Sequence, residues 1–490
     1  MARTNAVAVL AIVAVAIISR VVTFGNPVVI ADDQFYLFVG DAMRHGQWPY
    51  IDIWDRKPFG LFALFEGIAA LGSGSILAMQ LMATAFAAAT ALVIRRLALF
   101  VTNRQGALFG GIAYLLILPL LGGDGAQSPV FYNLFTALAG WALLSAVGRD
   151  IPAICWRAFA AMAACGLSMA MKPVALVEGI FFGLAFLALL RKSGARPWFF
   201  AATALAMLGV AILPTLVPLL IFALKGRAAL NDYMFANYIS IFHKQSFGST
   251  ARWVSLSYFL IYATPLVAVA ARGVYGRRSD FAEDLRLRLV IAWLVAAVGG
   301  WVLIPNFFDH YALPVFVPLS VISALGFGLA DGTLYLAAYL ICAFADGRLI
   351  DWHGNRRAIA DYDRLSSTVN SVRQGGCLFV ADGPMWLYQT VPACRLTRFL
   401  FPGHLTAWSE STALGIDQRA ELARVLALRP AVIVTRDEIT GVHNPPALSL
   451  INGALMAGYR RRLEIPRSAH RELRTSIVWQ RRDLSPLTDR

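Results

Sequence analysis

Residues 31–60 read ADDQFYLFVGDAMRHGQWPYIDIWDRKPFG, a dense group of carboxylates, aromatics and a single lysine set directly behind the apolar run from Ala6 to Val22. That run is long enough for a tilted membrane span, and the charges after it are too many to sit in hydrocarbon, so they mark its aqueous exit. Chemistry at a membrane surface is the first expectation, and a soluble enzyme is the wrong frame.

Outward from this stretch, composition agrees. The chain has 490 residues, 58% hydrophobic and 15% charged, with a mean hydropathy of +0.62, which belongs to the polytopic membrane class. Its net charge of +14 would suggest nucleic acid in a soluble protein. Here the arginines fall in short connections between apolar runs and in the C-terminal segment, where they read as topology signals and contacts to anionic membrane lipids, with no nucleic-acid partner. Met1, Ala2 and Arg3 before an apolar stretch imitate a secretory signal. The run reaches Val22 without a clean small-residue cleavage site, and many further spans follow, so a retained helix is expected.

Apolar runs near residues 5–23, 74–94, 105–121, 130–147, 155–170, 173–190, 198–222, 253–271, 287–304, 311–328 and 332–346 predict about eleven transmembrane helices, the fifth and last being short. Segment 58–71, opened by Pro58, reads as an interfacial or re-entrant helix; if it spanned, the topology after it would invert. Arg95, Arg96 and Arg104, then Arg149 and Arg157, then Arg191, Lys192 and Arg196, then Arg272, Arg277, Arg278, Arg286 and Arg288 occupy alternate loops, which places those loops and the N-terminus in the cytoplasm. The opposite face receives 24–73, GGDGAQSP at 122–129, the Lys172–Pro173 turn, loop 223–252, and PNFFDH at 305–310 with its Asn306.

From about Asp346 to Arg490 the chain is polar, and the same topology puts it on the outer face. GCLFVADG at 376–383 and RPAVIVTRDE at 429–438 read as short strands, and IDQRAELARVLAL between them has helical periodicity, which predicts a small α/β domain. Of five cysteines, Cys155, Cys165 and Cys342 sit in apolar runs as small packing residues. Cys377 and Cys394 would both face an oxidising periplasm, where a disulfide and two reduced thiols are both open.

Asp32 and Asp33 stand at the mouth of the first span. One reading makes them helix N-caps facing solvent. The other uses their position: a carboxylate beside apolar helices can accept a proton from an attacking hydroxyl or amine and stabilise a developing oxocarbenium ion. Tyr36 lies one turn beyond Asp32 on the same face. Tyr50, Asp52, Asp55, Arg56 and Lys57 follow near the membrane surface. Lys57, biased toward an extended backbone by Pro58, either meets a phosphate at headgroup level or snorkels within an interfacial salt-bridge network. Lys172 before Pro173 is either an outer-surface anchor or a phosphate ligand. His310 and Tyr311 head the tenth span, where the histidine either donates to a phosphate oxygen or satisfies an interhelical hydrogen bond. No zinc, calcium, GxSxG, Walker A or GxGxxG pattern stands in a credible setting. Nucleotide-sugars are not at hand in a periplasm, and a lipid-phosphate donor fits better.

ADDQFY, GQWPYIDIWDRKPFG with its KP element, the MKP turn, and DHYALPVFVPL occur in an order that resembles the GT-C integral-membrane glycosyltransferases of the protein O-mannosyltransferase and aminoarabinose-transferase type, over most of 5–346. The resemblance implies transfer of a sugar from a polyprenyl-phosphate carrier by inverting displacement at the anomeric carbon. By position it implies Asp32 as general base, Asp33 as its support, Lys57 as the cation beside the departing phosphate, and Lys172 and His310 as donor-phosphate or pocket residues. Two departures stand out. Ser128–Pro129 occupies the place where many relatives carry a glutamate, and Arg56 replaces the acidic residue before KP, which argues against a metal site taken over from that subgroup.

The sequence thus predicts a GT-C bundle over 1–346, with a first periplasmic loop at 24–73, and a periplasmic α/β domain over 347–490. The expected function is an inverting glycosyltransferase of a bacterial inner membrane, its active site facing the periplasm. It would move a polyprenyl-phosphate-linked sugar to a cell-envelope acceptor, whether membrane lipid such as lipopolysaccharide lipid A, polysaccharide or protein. Asp32 and Asp33 are the expected catalytic pair, with Tyr36, Tyr50, Asp52, Asp55, Lys57, Lys172, His310 and Tyr311 binding substrate. The chain is expected to act as a monomer; a divalent cation is an open possibility without a firm site. The alternative is a lipid-linked glycan translocator without transferase activity, which should carry polar path residues through both membrane halves.

Overall fold

The computed structural model describes residues 2–72, 75–245, 249–303, 307–437, 444–466 and 475–485; Asn306 lies outside them. The chain divides into two compact units, one of Met1–Val22, Gln80–Leu220 and Thr250–Ile350, the other of Thr23–Met79, Ile221–Ser249 and Asp351–Arg490.

Nine described helices are long and apolar enough to cross a membrane. Helices occupy all eleven expected positions, but Arg104–Leu120 and Gly332–Ala345, at 17 and 14 residues, are shorter than the other nine. The fifth is longer than its apolar run suggested: Ile151–Met171 has 21 residues, because the helix begins four residues before the run, with Pro152 in its first turn. The tenth opens as a 3₁₀ turn, Asp309–Val315, and becomes α-helical at Phe316–Phe327.

In the first unit small residues let helices touch backbone to backbone, the packing a bilayer favours because lipid offers helices no hydrophobic drive to associate. Gly106 and Gly110 of Arg104–Leu120 lie against Phe316–Phe327: a Cβ at Gly110 would stand 2.7 Å from the Ser320 carbonyl oxygen, and one at Gly106 would fall onto the Ala324 carbonyl. Buried Arg20 holds the 122–127 loop, donating to the carbonyls of Gly123 and Gly125 and, at 3.2 Å, to Thr84 Oγ1. Buried Glu178 accepts a 2.7 Å hydrogen bond from Trp293 Nε1.

The second unit contains the helix pair Ala31–Arg44 and Phe59–Ala70 and a four-stranded sheet. At 12 residues Phe59–Ala70 is about 18 Å long, too short to cross a hydrocarbon core of about 30 Å. The pair closes on Gly40, whose missing side chain leaves room for the backbone of Phe65. Tyr36, one turn away, packs edge-on against Phe62 and Phe65.

The sheet runs β1 (Leu378–Val380), β2 (Val432–Arg436), β3 (Tyr459–Ile465) and β4 (Ser476–Arg481), in spatial order β1-β2-β4-β3, with β1 parallel to β2 and the other pairings antiparallel. β1, β2 and the helix Gln418–Ala427 stand where strand and helix periodicity predicted them. β3 and β4 were not anticipated: YRRRLEI looks like a basic surface run, yet Tyr459, Leu463 and Ile465 are buried, and a register shift between Arg461 and Leu463 interrupts the strand's alternation at the three consecutive arginines. Cys377 and Cys394 are joined in a disulfide.

Candidate active site

Helix Ala31–Arg44 begins after Ile30, so Asp32 and Asp33 occupy its second and third positions rather than the N-cap. Carboxylates there face the positive end of the helix dipole and up to four amide protons without helical partners. Asp33 is buried, while about a fifth of the Asp32 side chain stays open.

The chain then turns through WPYIDIWD and returns Lys57 to that helix end. Tyr50 adopts φ 71°, a left-handed conformation costly for a bulky residue, about 1–3 kcal/mol. Its ring packs against Phe222 and Tyr233, and its hydroxyl donates to the Lys57 carbonyl at 2.8 Å. The Lys57 amide donates to Asp55 Oδ1 at 2.8 Å. The ammonium meets Asp32 Oδ1 at 2.8 Å and stands 4.9 Å from the Tyr36 ring centroid and 5.6 Å from that of Phe401. Burial, and then the Asp32 charge, hold the Tyr36 phenol well above its ordinary pKa, against the opposing pull of Lys57; it stays a neutral donor. Asp52 turns elsewhere, accepting the Trp48 amide at 2.7 Å to close its own turn.

Behind Lys57 lies a charge cluster that sequence reasoning missed. Arg56 forms a two-pronged pair with Glu410, at 3.0 Å for Nη1 to Oε1, and Lys244 reaches the same carboxylate at 2.9 Å. Burial would raise the Glu410 pKa, but Arg56 and Lys244 outweigh it and hold it far below the carboxylate range. His404 Nε2 lies 3.6 Å from Asp55 Oδ2. The one available signal was a histidine and a glutamate inside FPGHLTAWSE at 401–410. Nothing local pairs these with Asp55 or Arg56, some 350 positions away.

Burial lowers the His404 pKa from 6.5 to about 4, overcoming the raising pull of Asp55 and Glu410. An unfolded chain therefore takes up a proton as pH falls through 6.5 while the folded chain refuses it. His404 stability is present above that pH and lost on the way down to about 4, on the order of 3 kcal/mol. Thermal unfolding of detergent-solubilised protein should show a falling Tm between pH 6.5 and 4, and His404→Gln should flatten that part of the profile. An identical slope in the variant would remove the histidine as its cause.

In the first unit, Lys172 ends Ile151–Met171 in an extended conformation before Pro173. Its ammonium lies 4.3 Å from the Tyr311 ring centroid, and Tyr311 stands edge-on to His310 at 4.6 Å. These three predicted residues are thus brought together. Among the described residues no three His, Cys, Asp or Glu side chains assemble as a metal-ligand group.

No protein-family model and no curated protein matches the chain. Solved structures do. The apo crystal structure of ArnT, the aminoarabinose transferase, from Cupriavidus metallidurans superposes with a TM-score of 0.66 at 14% identity, covering 98% of both chains. The chain has the GT-C fold of lipid-linked glycosyltransferases. The same ArnT bound to undecaprenyl phosphate gives a TM-score of 0.65 at 13% identity over 98% of this chain and 99% of that one. The apo oligosaccharyltransferase of Archaeoglobus fulgidus gives 0.53 at 10% identity, over 88% and 69%. At such identities the likeness concerns the GT-C fold alone.

Proposed function

We propose that the protein is an inverting glycosyltransferase that moves a sugar from a polyprenyl-phosphate-linked donor to a periplasmic cell-envelope acceptor. The observation that carries this is the 2.8 Å pair of Asp32 and Lys57, a proton acceptor and a cation held together at a helix N-terminus. Undecaprenyl phosphate bound to the structurally similar ArnT supports the donor class.

In this reading a donor phosphate draws Lys57 toward itself and loosens its hold on Asp32. A carboxylate relieved of its cation is a better base, so donor binding readies Asp32 to take the proton. The acceptor oxygen or nitrogen attacks the anomeric carbon from the face opposite the carrier. The carbon–oxygen bond to phosphate breaks as that attack proceeds, the phosphate leaves with the electron pair beside Lys57, and the acceptor proton passes to Asp32. Asp33 supports the helix end, Tyr36 and Tyr50 shape the lysine's surroundings, and Asp55 fixes the lysine backbone. Lys172, His310 and Tyr311 form a cationic and aromatic surface also suited to the donor.

Residues 1–346 are proposed as the transferase bundle and 347–490 as a periplasmic domain of a bacterial inner-membrane protein. The Cys377–Cys394 disulfide supports an oxidising compartment. Single cysteines introduced at Ser371 and at Asp280 should label from outside and only after permeabilisation, respectively, in intact cells. Cytoplasmic-only labelling at 371 would overturn the orientation. The function itself is tested by mass analysis of membrane glycolipids with and without the protein, using purified polyprenyl-phosphate-sugars as donors. A hexose or pentose mass that appears only with active protein is the expected result, and no donor-dependent mass change refutes the reading.

A further inference from the structure

We propose that the first unit holds one anionic glycerophospholipid in a groove of its own, a site independent of the transferase reading. The groove has a volume of about 580 Å³ and lies among the helices Ser249–Gly276, Leu285–Val302 and Phe316–Phe327. Its walls are apolar side chains, among them Val267, Ala271, Val274, Leu294 and Ile322, and its one charged lining residue is Arg278.

Length and charge together select the occupant. From Val267 to the helix end at Gly276 is a rise of about 14 Å, close to one leaflet of a hydrocarbon core about 30 Å thick. Arg278 follows directly beyond that end, where the helix passes into its polar connection, at headgroup level. An apolar channel one leaflet long with a cation at its mouth matches an acyl chain below a phosphate, and not a soluble anion or a peptide.

Arg278 is also available for the task. Three neighbouring arginines are held by protein: Arg272 by Asp331, Arg277 by the Val101 carbonyl and Asp284, and Arg286 by the Leu144 and Val147 carbonyls; Arg288 does not line the groove. The guanidinium of Arg278 lies over the Tyr275 ring, 4.2 Å from its centroid, and forms no ion pair among the described residues. A cation on an aromatic face is oriented by it while its N–H groups remain free to donate to a phosphate. A zwitterionic lipid brings its own ammonium to that phosphate, so a net-negative headgroup binds better.

The test uses the full chain in nanodiscs of equal phosphatidylglycerol and phosphatidylethanolamine, released into detergent and weighed intact. Wild type should keep one phosphatidylglycerol in preference to phosphatidylethanolamine. Arg278→Gln should lower that preference roughly five-fold, the effect of one basic side chain at a lipid surface, and Ala271→Trp should fill the groove and abolish retention of either lipid. Equal retention of both lipids by wild type, an unchanged ratio in Arg278→Gln, retention in Ala271→Trp, or a bound polyprenyl phosphate in place of the phospholipid would each overturn the proposal. If either variant fails to give a monodisperse protein, the wild-type competition alone decides.

Discussion

Asp32→Asn should lower transfer by about 10²–10⁴, the usual worth of general-base assistance, while leaving folding and donor binding close to wild type. The amide keeps the size of the carboxylate and removes only its basicity and charge. Its neighbour provides the internal control. Asp33 is buried in the first turn of the same helix, so Asp33→Asn should cost less activity and more stability. The measurement is transfer at matched membrane abundance, with donor binding measured separately. Near-wild-type turnover in Asp32→Asn would end its assignment as base, and a greater catalytic loss at Asp33 would move that role one residue along.

Lys57→Ala should reduce single-turnover rate far more than donor affinity, because the ammonium is asked to stabilise charge that grows on the phosphate as the bond breaks. Removal of one such electrostatic donor costs about 10²–10³ in turnover in comparable sites. The same substitution takes the cation from Asp32, so the carboxylate becomes more basic; the lost activity must then come from the leaving group and not from the base. A donor with a better leaving group than alkyl phosphate should recover part of the rate in Lys57→Ala and none in Asp32→Asn. Lys57→Arg keeps the charge but changes its geometry where Tyr36 and Phe401 flank it, and intermediate rates are expected. Weakened donor binding with unchanged chemistry would remove the transition-state role.

Much of the architecture was legible in one dimension, since the demands of a bilayer on a chain are local. A run of about twenty apolar residues satisfies its own backbone as a helix and needs no distant partner to be recognised. The strands at 378–380 and 432–436 were readable for the same reason, being short apolar runs bounded by turn residues. β3 escaped because three consecutive arginines and a register shift between Arg461 and Leu463 break the period of two by which a strand is read.

Among the candidate residues, ADDQFY and DRKP could be singled out from the sequence, and so, separately, could Lys172, His310 and Tyr311 as residue types suited to phosphate. Which of them meet was a matter of tertiary structure. A backbone bend at Tyr50 and the close approach at Gly40 carry Lys57 back to Asp32, and neither has a periodic signature. Glu410, Lys244 and His404 come from two distant stretches to enclose Arg56 and Asp55. By itself the sequence determined the apolar helices, the two short apolar strands of the C-terminal part and the chemistry its side chains have to offer, because hydrophobicity and residue type are properties of each short segment. Only the tertiary structure decided which charges neutralise one another, because the energy of an ion pair depends on a separation of a few ångströms and on how much water is shut out, and neither is written in the spacing of residues along the chain.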